Sequence, residues 1–230
     1  MTETILITGA NRGIGLALTK ISLMKNMNVE ACCRNLRNSK ELHELSQRHS
    51  NLNIHEMDVT SAQSIINTSQ NVKFDIDILV CNAGVNNGKG NIFSKDHNEK
   101  AIMDVMMANV AGPFLTIQNF YPNLNKKSQS KVAIISSLMG SQVHLSSNAP
   151  IYRASKAAAN NLMRTISNQF LNDNIIVTSF HPGWVRTDMG GDQADISPEE
   201  SAEGLLNQFL NLSMEDSGQF FNYDGKALPL

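Results

Sequence analysis

The 230-residue sequence predicts an α/β fold, a doubly wound parallel sheet of about seven strands with helices on both faces. Three observations carry this. Short apolar, β-branched runs recur and alternate with longer amphipathic runs, the pattern of strands joined by crossover helices. A glycine-rich turn, Thr8-Gly9-Ala10-Asn11-Arg12-Gly13-Ile14-Gly15, stands directly between the first strand-like run and the first helix-like run. No repeat, linker or low-complexity tract breaks the alternation, and 41% of residues are hydrophobic, enough for one sizeable core. Residues 1–230 are therefore read as one domain.

Thr4 to Thr8 is the first strand and Leu16 to Lys25 the first helix. A strand, a glycine turn and a helix in succession predict a Rossmann-type dinucleotide site. The glycines permit a tight turn and close backbone approach to a pyrophosphate, which the free N–H groups and positive dipole end of the helix would hold. Gly9, Asn11, Arg12, Gly13, Ile14 and Gly15 are candidate cofactor residues. The spacing is Thr-Gly-x-x-x-Gly-x-Gly rather than the common Gly-x-Gly-x-x-Gly.

Asn28 to Cys33 is the second strand. In dinucleotide folds a carboxylate at its end, roughly 20 residues past the glycines, holds the ribose 2′-hydroxyl. Here that place is taken by Cys33, followed by Arg34. A guanidinium matches phosphate geometry in a bidentate way, so Arg34, with Arg12 reaching toward the same group, predicts NADP(H) in preference to NAD(H).

The rest follows the alternation. Ser39 to His49 reads as a helix, Leu52 to Met57 as a strand ending in Asp58-Val59, and Thr60 or Ser61 as the next helix cap. Ile76 to Val80 is a strand leading to Cys81-Asn82-Ala83-Gly84. A long helix spans roughly Asn98 to Asn123, with Asn109 and Pro113 inside it. Lys131 to Ser136, Ile175 to Phe180 and Gly218 to Tyr223 complete the strands, and Ser197-Pro198-Glu199-Glu200 opens a helix with a capping-box pattern.

Composition narrows the function. A formal net charge of -2 with no basic block predicts no nucleic-acid partner. The amino terminus lacks a signal-peptide pattern and no apolar run looks long enough for a bilayer, so no membrane association and a cytoplasmic location are expected. Cys32, Cys33 and Cys81 lie in strand-like runs and read as core residues of a reducing compartment. His55, His97 and His181 show no metal-binding spacing, and no metal is expected.

Tyr152-Arg153-Ala154-Ser155-Lys156 carries the chemistry. It opens an Ala-rich run, Arg153 to Leu171, without Gly or Pro, that reads as a helix on which Tyr152 and Lys156 share a face. A free tyrosine has a pKa of about 10, and a neighbouring cation favours the phenolate. The pair is therefore expected to titrate below the free value and to serve as a general acid or base. Pro113 lacks the N–H that would bond the carbonyl four residues earlier, that of Asn109, and so frees this oxygen for a water.

Together, Thr8-Gly9-x-x-x-Gly13-x-Gly15, Asn82-Ala83-Gly84, Asn109, Ser137, Tyr152-x-x-x-Lys156 and Pro182-Gly183 resemble, in order and over essentially the whole chain, the short-chain dehydrogenases/reductases. The run His181-Pro182-Gly183-Trp184-Val185-Arg186-Thr187-Asp188-Met189-Gly190-Gly191 and the ending Tyr223-Asp224-Gly225-Lys226 look like the C-factor group and its sniffer-type carbonyl reductases. The resemblance implies an NADP-dependent carbonyl reductase, or a C-factor-like signalling protein or cofactor-sensing regulator on the same fold. It implies that Tyr152 exchanges the proton, that Lys156 lowers the tyrosine pKa and holds the nicotinamide ribose, and that Asn109 anchors a relay water. It implies that Ser137 bonds the oxygen of a small carbonyl or alcohol substrate. The stretch from Ser137 to Tyr152 is slightly long for the family, which leaves Ser136 open for that role. Asp58, Val59, Asn82, Ala83, Gly84, Pro182, Gly183, Val185 and Thr187 match cofactor-lining positions, and a homodimer or homotetramer pairing through the Asn109 and Tyr152 helices is implied.

Overall fold

The structure, a computed structural model, describes residues 2–126 and 129–230. Seven strands form one sheet in the order β3-β2-β1-β4-β5-β6-β7. They are β1 Thr4–Thr8, β2 Asn28–Cys33, β3 Leu52–Glu56, β4 Ile78–Cys81, β5 Ser130–Ile135, β6 Ile175–His181 and β7 Phe220–Asn222. Every pairing is parallel. Parallel strands need crossovers, and these place helices on both faces, which is why β1 and β4 are buried at every position.

The helices are α1 Gly13–Met24, α2 Lys40–Ser46, α3 Ala62–Asn71, α4 Glu99–Met106, α5 Gly112–Phe120, α6 Pro150–Gln169 and α7 Pro198–Asn211. One face of the sheet packs Ile5, Ile7, Val29 and Phe180 against Leu18, Leu205 and Phe209 of α1 and α7. The other packs Leu6, Leu79, Val132 and Ile134 against Ile117, Phe120, Met163 and Ile166 of α5 and α6. Alternate residues of each strand serve the two faces because successive side chains point to opposite sides. The chain reverses direction across the sheet between β1 and β4, and such a switch point opens a crevice at the carboxyl strand ends.

Two expectations need correction. The long helix is not uniform: α4 and α5 are joined by a π-helical turn, Met107–Ala111, because α5 begins at Gly112-Pro113 and Pro113 supplies no N–H. From Glu99 to Asn123 this helical segment also has a span's length and a mean hydropathy of 1.2, contrary to the expectation that no run is long enough for a bilayer. Its buried side packs on the sheet, and its apolar character comes partly from Met103, Met106, Met107 and Phe114, which face outward. The three cysteines are buried and free, consistent with packing.

Candidate active site

The glycine turn is shaped by contacts that leave no space for a side chain. Gly9 and Gly13 adopt φ of +67° and +51°, the left-handed region that glycine enters without strain. A Cβ on Gly15 would lie 2.2 Å from the Gly9 carbonyl oxygen, so helix α1 rests directly on the turn. The end of β4 is tied to the end of β1. Asn82 Nδ2 donates to the carbonyls of Thr8 at 2.8 Å and Gly9 at 3.2 Å, while the N–H groups of Asn82 and Ala83 both donate to Thr8 Oγ1 at 3.0 Å. Thr8 is a positioning residue that sequence reasoning passed over, although it heads the glycine motif. Asp58 is oriented by Thr60, whose N–H and hydroxyl both donate to Asp58 Oδ1, at 2.9 and 2.7 Å.

Arg34 is exposed at the end of β2, whereas Arg12 Nη1 lies 2.7 Å from Asp188 Oδ2. Asn11 Nδ2 donates to the Asn38 carbonyl at 3.4 Å, linking the turn to the segment after β2. No carboxylate replaces Cys33 at the strand end; its sulfur meets Ser39 Oγ at 3.1 Å.

Helix α6 starts one turn earlier than the Arg153 start read from sequence, with Pro150 in its first turn after Ala149 in the left-handed conformation (φ 50°). Tyr152 and Lys156 lie on its buried face, with Lys156 Nζ 5.6 Å from the tyrosine ring centroid. Lys156 Nζ donates to the Ile135 carbonyl at 2.8 Å, at the end of β5. The two serines after β5 part company. Ser136 Oγ donates to the Lys156 carbonyl at 3.2 Å and anchors the helix, while Ser137 hydrogen-bonds the Tyr152 side chain. Ser137 is held by its own turn, accepting from the Met139 N–H at 3.1 Å. Gly140 then passes so close to α6 that a Cβ would stand 2.7 Å from the Lys156 carbonyl carbon.

Burial dominates the electrostatics. It pushes the Tyr152 phenol up to about 12, against the downward pull of the Ser137 hydrogen bond. It pushes the Lys156 ammonium down to about 8. The expectation that the tyrosine titrates below its free value is therefore corrected for this structure: desolvating a phenolate costs more than the neighbouring groups return. Near neutral pH the phenol keeps its proton, as a general acid must, and Lys156 retains most of its charge. His181, beside the site at the end of β6, is pushed down to about 4 by burial and stays neutral.

Asn109 sits in the π-helical turn. Its Oδ1 accepts from the Val85 N–H at 2.8 Å, and its Nδ2 donates to the Val85 carbonyl at 2.9 Å and to Ser155 Oγ at 3.0 Å. Ser155 Oγ in turn donates to the Tyr152 carbonyl at 2.7 Å, so Asn109 is joined to α6 through a residue that sequence reasoning did not single out. The Gly112 N–H bonds the Met107 carbonyl five residues back. The carbonyls of Ala108 and Asn109 thus both lose their regular helical donors, the first to the wider turn and the second to Pro113. Gly84 lies against the Asn109 side chain and Lys156. A Cβ there would lie 3.0 Å from Asn109 Oδ1 and 3.5 Å from Lys156 Nζ.

The loop after β6 closes the far side. Gly183 has φ +87°, and a Cβ on it would meet Ile196 Cδ1 at 2.5 Å. Pro182 precedes it and its carbonyl accepts from Ser201 Oγ at 2.6 Å. Val185 is buried, and the Thr187 methyl packs on the glycine turn, 3.1 Å from where a Gly13 Cβ would stand. Ile14 is half-buried beneath it. Leu145 and Trp184 are exposed. Among the described residues no cluster of ligating side chains suits a metal.

Comparison with known proteins follows this geometry. Residues 3–197 match a family model described as short chain dehydrogenase. The chain is 34% identical over 155 residues to the C-signal of Myxococcus xanthus, covering 67% of this chain and 92% of that one. It superposes with a TM-score of 0.90 and 33% identity on an NADPH-bound carbonyl reductase from chicken fatty liver, covering 100% of this chain and 99% of the other. It superposes with a TM-score of 0.92 and 28% identity on the carbonyl reductase Sniffer of D. melanogaster, each chain covered to 100%.

Proposed function

Because the chain belongs to the short chain dehydrogenase family, we propose that this oxidoreductase is an NADPH-dependent carbonyl reductase. The observation that carries the proposal is the Ser137–Tyr152–Lys156 cluster, in which a phenol pushed up to about 12 stays protonated beside a lysine pushed down to about 8. When bound, NADPH would supply the hydride for the carbonyl carbon, and the products would be NADP⁺ and an alcohol. Tyr152 gives the proton to the carbonyl oxygen. Ser137 hydrogen-bonds that oxygen and holds it at the phenol. Lys156 stabilises the phenolate left behind, and the freed carbonyl of Asn109 holds a water through which the proton is restored from solvent.

The cofactor's place is supported by the shape of the turn. Gly9, Gly13 and Gly15 let the turn pack closely on Asn82, Ala83 and Thr187, and the backbone N–H groups at the start of a helix suit a pyrophosphate. Asn82, Ala83 and Gly84 form the floor at the switch point, Asp58 and Val59 the adenine side, and Pro182, Gly183, Val185 and Thr187 the nicotinamide side. The absence of a carboxylate at Cys33 and the exposed Arg34 favour a 2′-phosphate over a bare ribose. The chicken enzyme binds NADPH, which supports the same choice.

The outward side chains Met103, Met106, Met107 and Phe114 recur at helical spacing, and Phe114 also borders a groove of about 330 Å³ between α5 and α6 whose lining mixes Ile117, Ile166 and Phe170 with Gln118, Gln169 and Asp173. An exposed apolar stripe beside such a groove supports a homodimer or homotetramer built on the Asn109 and Tyr152 helices. Three unbridged cysteines support a reducing, cytoplasmic location. The likeness to the C-signal favours a second reading, a signalling protein whose reductase activity serves an intercellular cue. The deciding experiment is steady-state turnover on a panel of aldehydes, ketones and quinones with NADPH and with NADH. The reading expects reduction with a clear NADPH preference. Tight NADPH binding without turnover would favour a cofactor-sensing regulator, and an NADH preference would overturn the argument from Cys33 and Arg34.

A further inference from the structure

We propose that Asp188 is a specificity-determining residue of the cofactor site, an anion on a braced loop that competes with the cofactor's phosphate for the Arg12 guanidinium. The inference rests on the reading that Arg12 meets that phosphate. Arg12 is the residue immediately before α1, within the glycine turn. Its Nη1 stands 2.7 Å from Asp188 Oδ2 although the two are 176 positions apart, so only the fold brings them together.

Asp188 is presented by a braced loop. The Arg186 N–H donates to the Ile196 carbonyl at 2.9 Å, and the Ile196 N–H donates to that of Trp184 at 3.2 Å. Arg186 Nη1 donates to the carbonyls of Ala194 and Asp195, at 3.0 and 2.9 Å. Trp184 Nε1 donates to the Gly190 carbonyl at 3.0 Å, and the Gly190 N–H donates to Thr187 Oγ1 at 3.1 Å. The backbone that carries Asp188 is therefore braced, and Thr187 beside it touches the glycine turn.

A guanidinium that faces such an anion is not free to receive another. A cofactor with a 2′-phosphate must draw Arg12 away from Asp188, and part of the new interaction replaces the old one. A cofactor without the phosphate leaves the ion pair as it stands. Asp188 thus weakens NADPH binding while leaving NADH binding alone, and moderates a preference that Arg12 and Arg34 would otherwise make steeper. The side chains of Arg12 and Asp188 are 67% and 80% exposed, so the pair has the strength of a surface ion pair. That corresponds to about a two- to fivefold effect on an equilibrium constant, reduced by salt.

The test is titration of nicotinamide fluorescence with NADPH and NADH for the wild type, Asp188→Asn, Arg12→Gln and the double variant, at low and high salt. Asp188→Asn is expected to tighten NADPH binding about two- to fivefold, leave NADH unchanged, lose its effect in the Arg12→Gln background, and gain less at high salt. If Arg12→Gln weakens NADPH binding but Asp188→Asn does not tighten it, the competition is refuted and the role of Arg12 stands. If Arg12→Gln leaves NADPH binding unchanged, the phosphate role fails and this inference with it. An equal gain with and without Arg12 also overturns it. Both positions are exposed, and matching melting temperatures verify that the variants remain folded.

Discussion

Lys156 is a cation in a place that disfavours cations. Its ammonium is 5% exposed, pushed down to about 8, and has the Ile135 carbonyl as a hydrogen-bond acceptor. Two measurable consequences follow. First, reduction that depends on the charged ammonium is expected to hold near neutral pH and to fall as pH rises through about 8, approaching tenfold per unit. A rate profile flat to pH 10 would contradict this. Second, the folded pKa lies below the ordinary lysine value of 10.5, so the unfolded chain binds the extra proton between about 8 and 10.5. Stability therefore rises with pH in that window, and below it the cost of burying the charge is present in full, about 3 kcal/mol. Lys156→Met removes that cost and leaves the Ile135 carbonyl without its donor, about 1 kcal/mol. A net rise in melting temperature of about 4–8 °C, with turnover lost, is expected in a thermal scan. The pairing of Tyr152 with Lys156 is legible in sequence because helical spacing is local. The direction of the tyrosine shift is not, because it is set by burial of the ring, which depends on the tertiary fold. The Arg12–Asp188 pair escapes sequence reading for the same reason.

At the scale of elements, the join between α4 and α5 is the least regular part of the structure and carries Asn109. The sequence points to one freed carbonyl through Pro113; the π-helical turn frees a second, that of Ala108, which a rule of four-residue spacing does not reveal. The Asn109 side chain is equally hidden in sequence, since its partners Val85 and Ser155 come from another loop and another helix. Restoring a donor at Pro113 separates the roles of carbonyl and side chain. Pro113→Ala gives the helix back an N–H and should not lower the melting temperature. If the free carbonyl holds the relay water, turnover should fall about three- to tenfold, less than the loss of an acid–base group itself. Unchanged turnover would mean that the proline only shapes the helix. The strand ends and glycine positions, by contrast, are read from sequence to within a residue or two, because apolar alternation and left-handed turns are local demands.

At the scale of the whole molecule, the helical segment from α4 to α5 offers a stripe of Met103, Met106, Met107 and Phe114 with exposures of 58%, 37%, 38% and 43%. Such a stripe gains by pairing with its own copy across a two-fold axis, where each apolar side chain meets apolar surface. Light scattering at micromolar concentration should report a dimer or tetramer. Phe114→Glu should shift it toward monomer without unfolding the chain, because the ring is not part of the sheet-packing core. A wild-type monomer would refute the assembly. The sheet order is legible only as a class from sequence, since alternation of strands and helices predicts a parallel sheet but not which strands are neighbours.

The account stands on Tyr152 as the proton donor, and Tyr152→Phe tests it most directly. The substitution keeps the ring and its packing and removes only the hydroxyl. NADPH affinity and melting temperature should stay near wild type, while carbonyl reduction should fall by about 10²–10⁴-fold, the usual contribution of a general acid. A folded Tyr152→Phe protein that binds NADPH and reduces carbonyls at close to the wild-type rate would contradict the account at its centre.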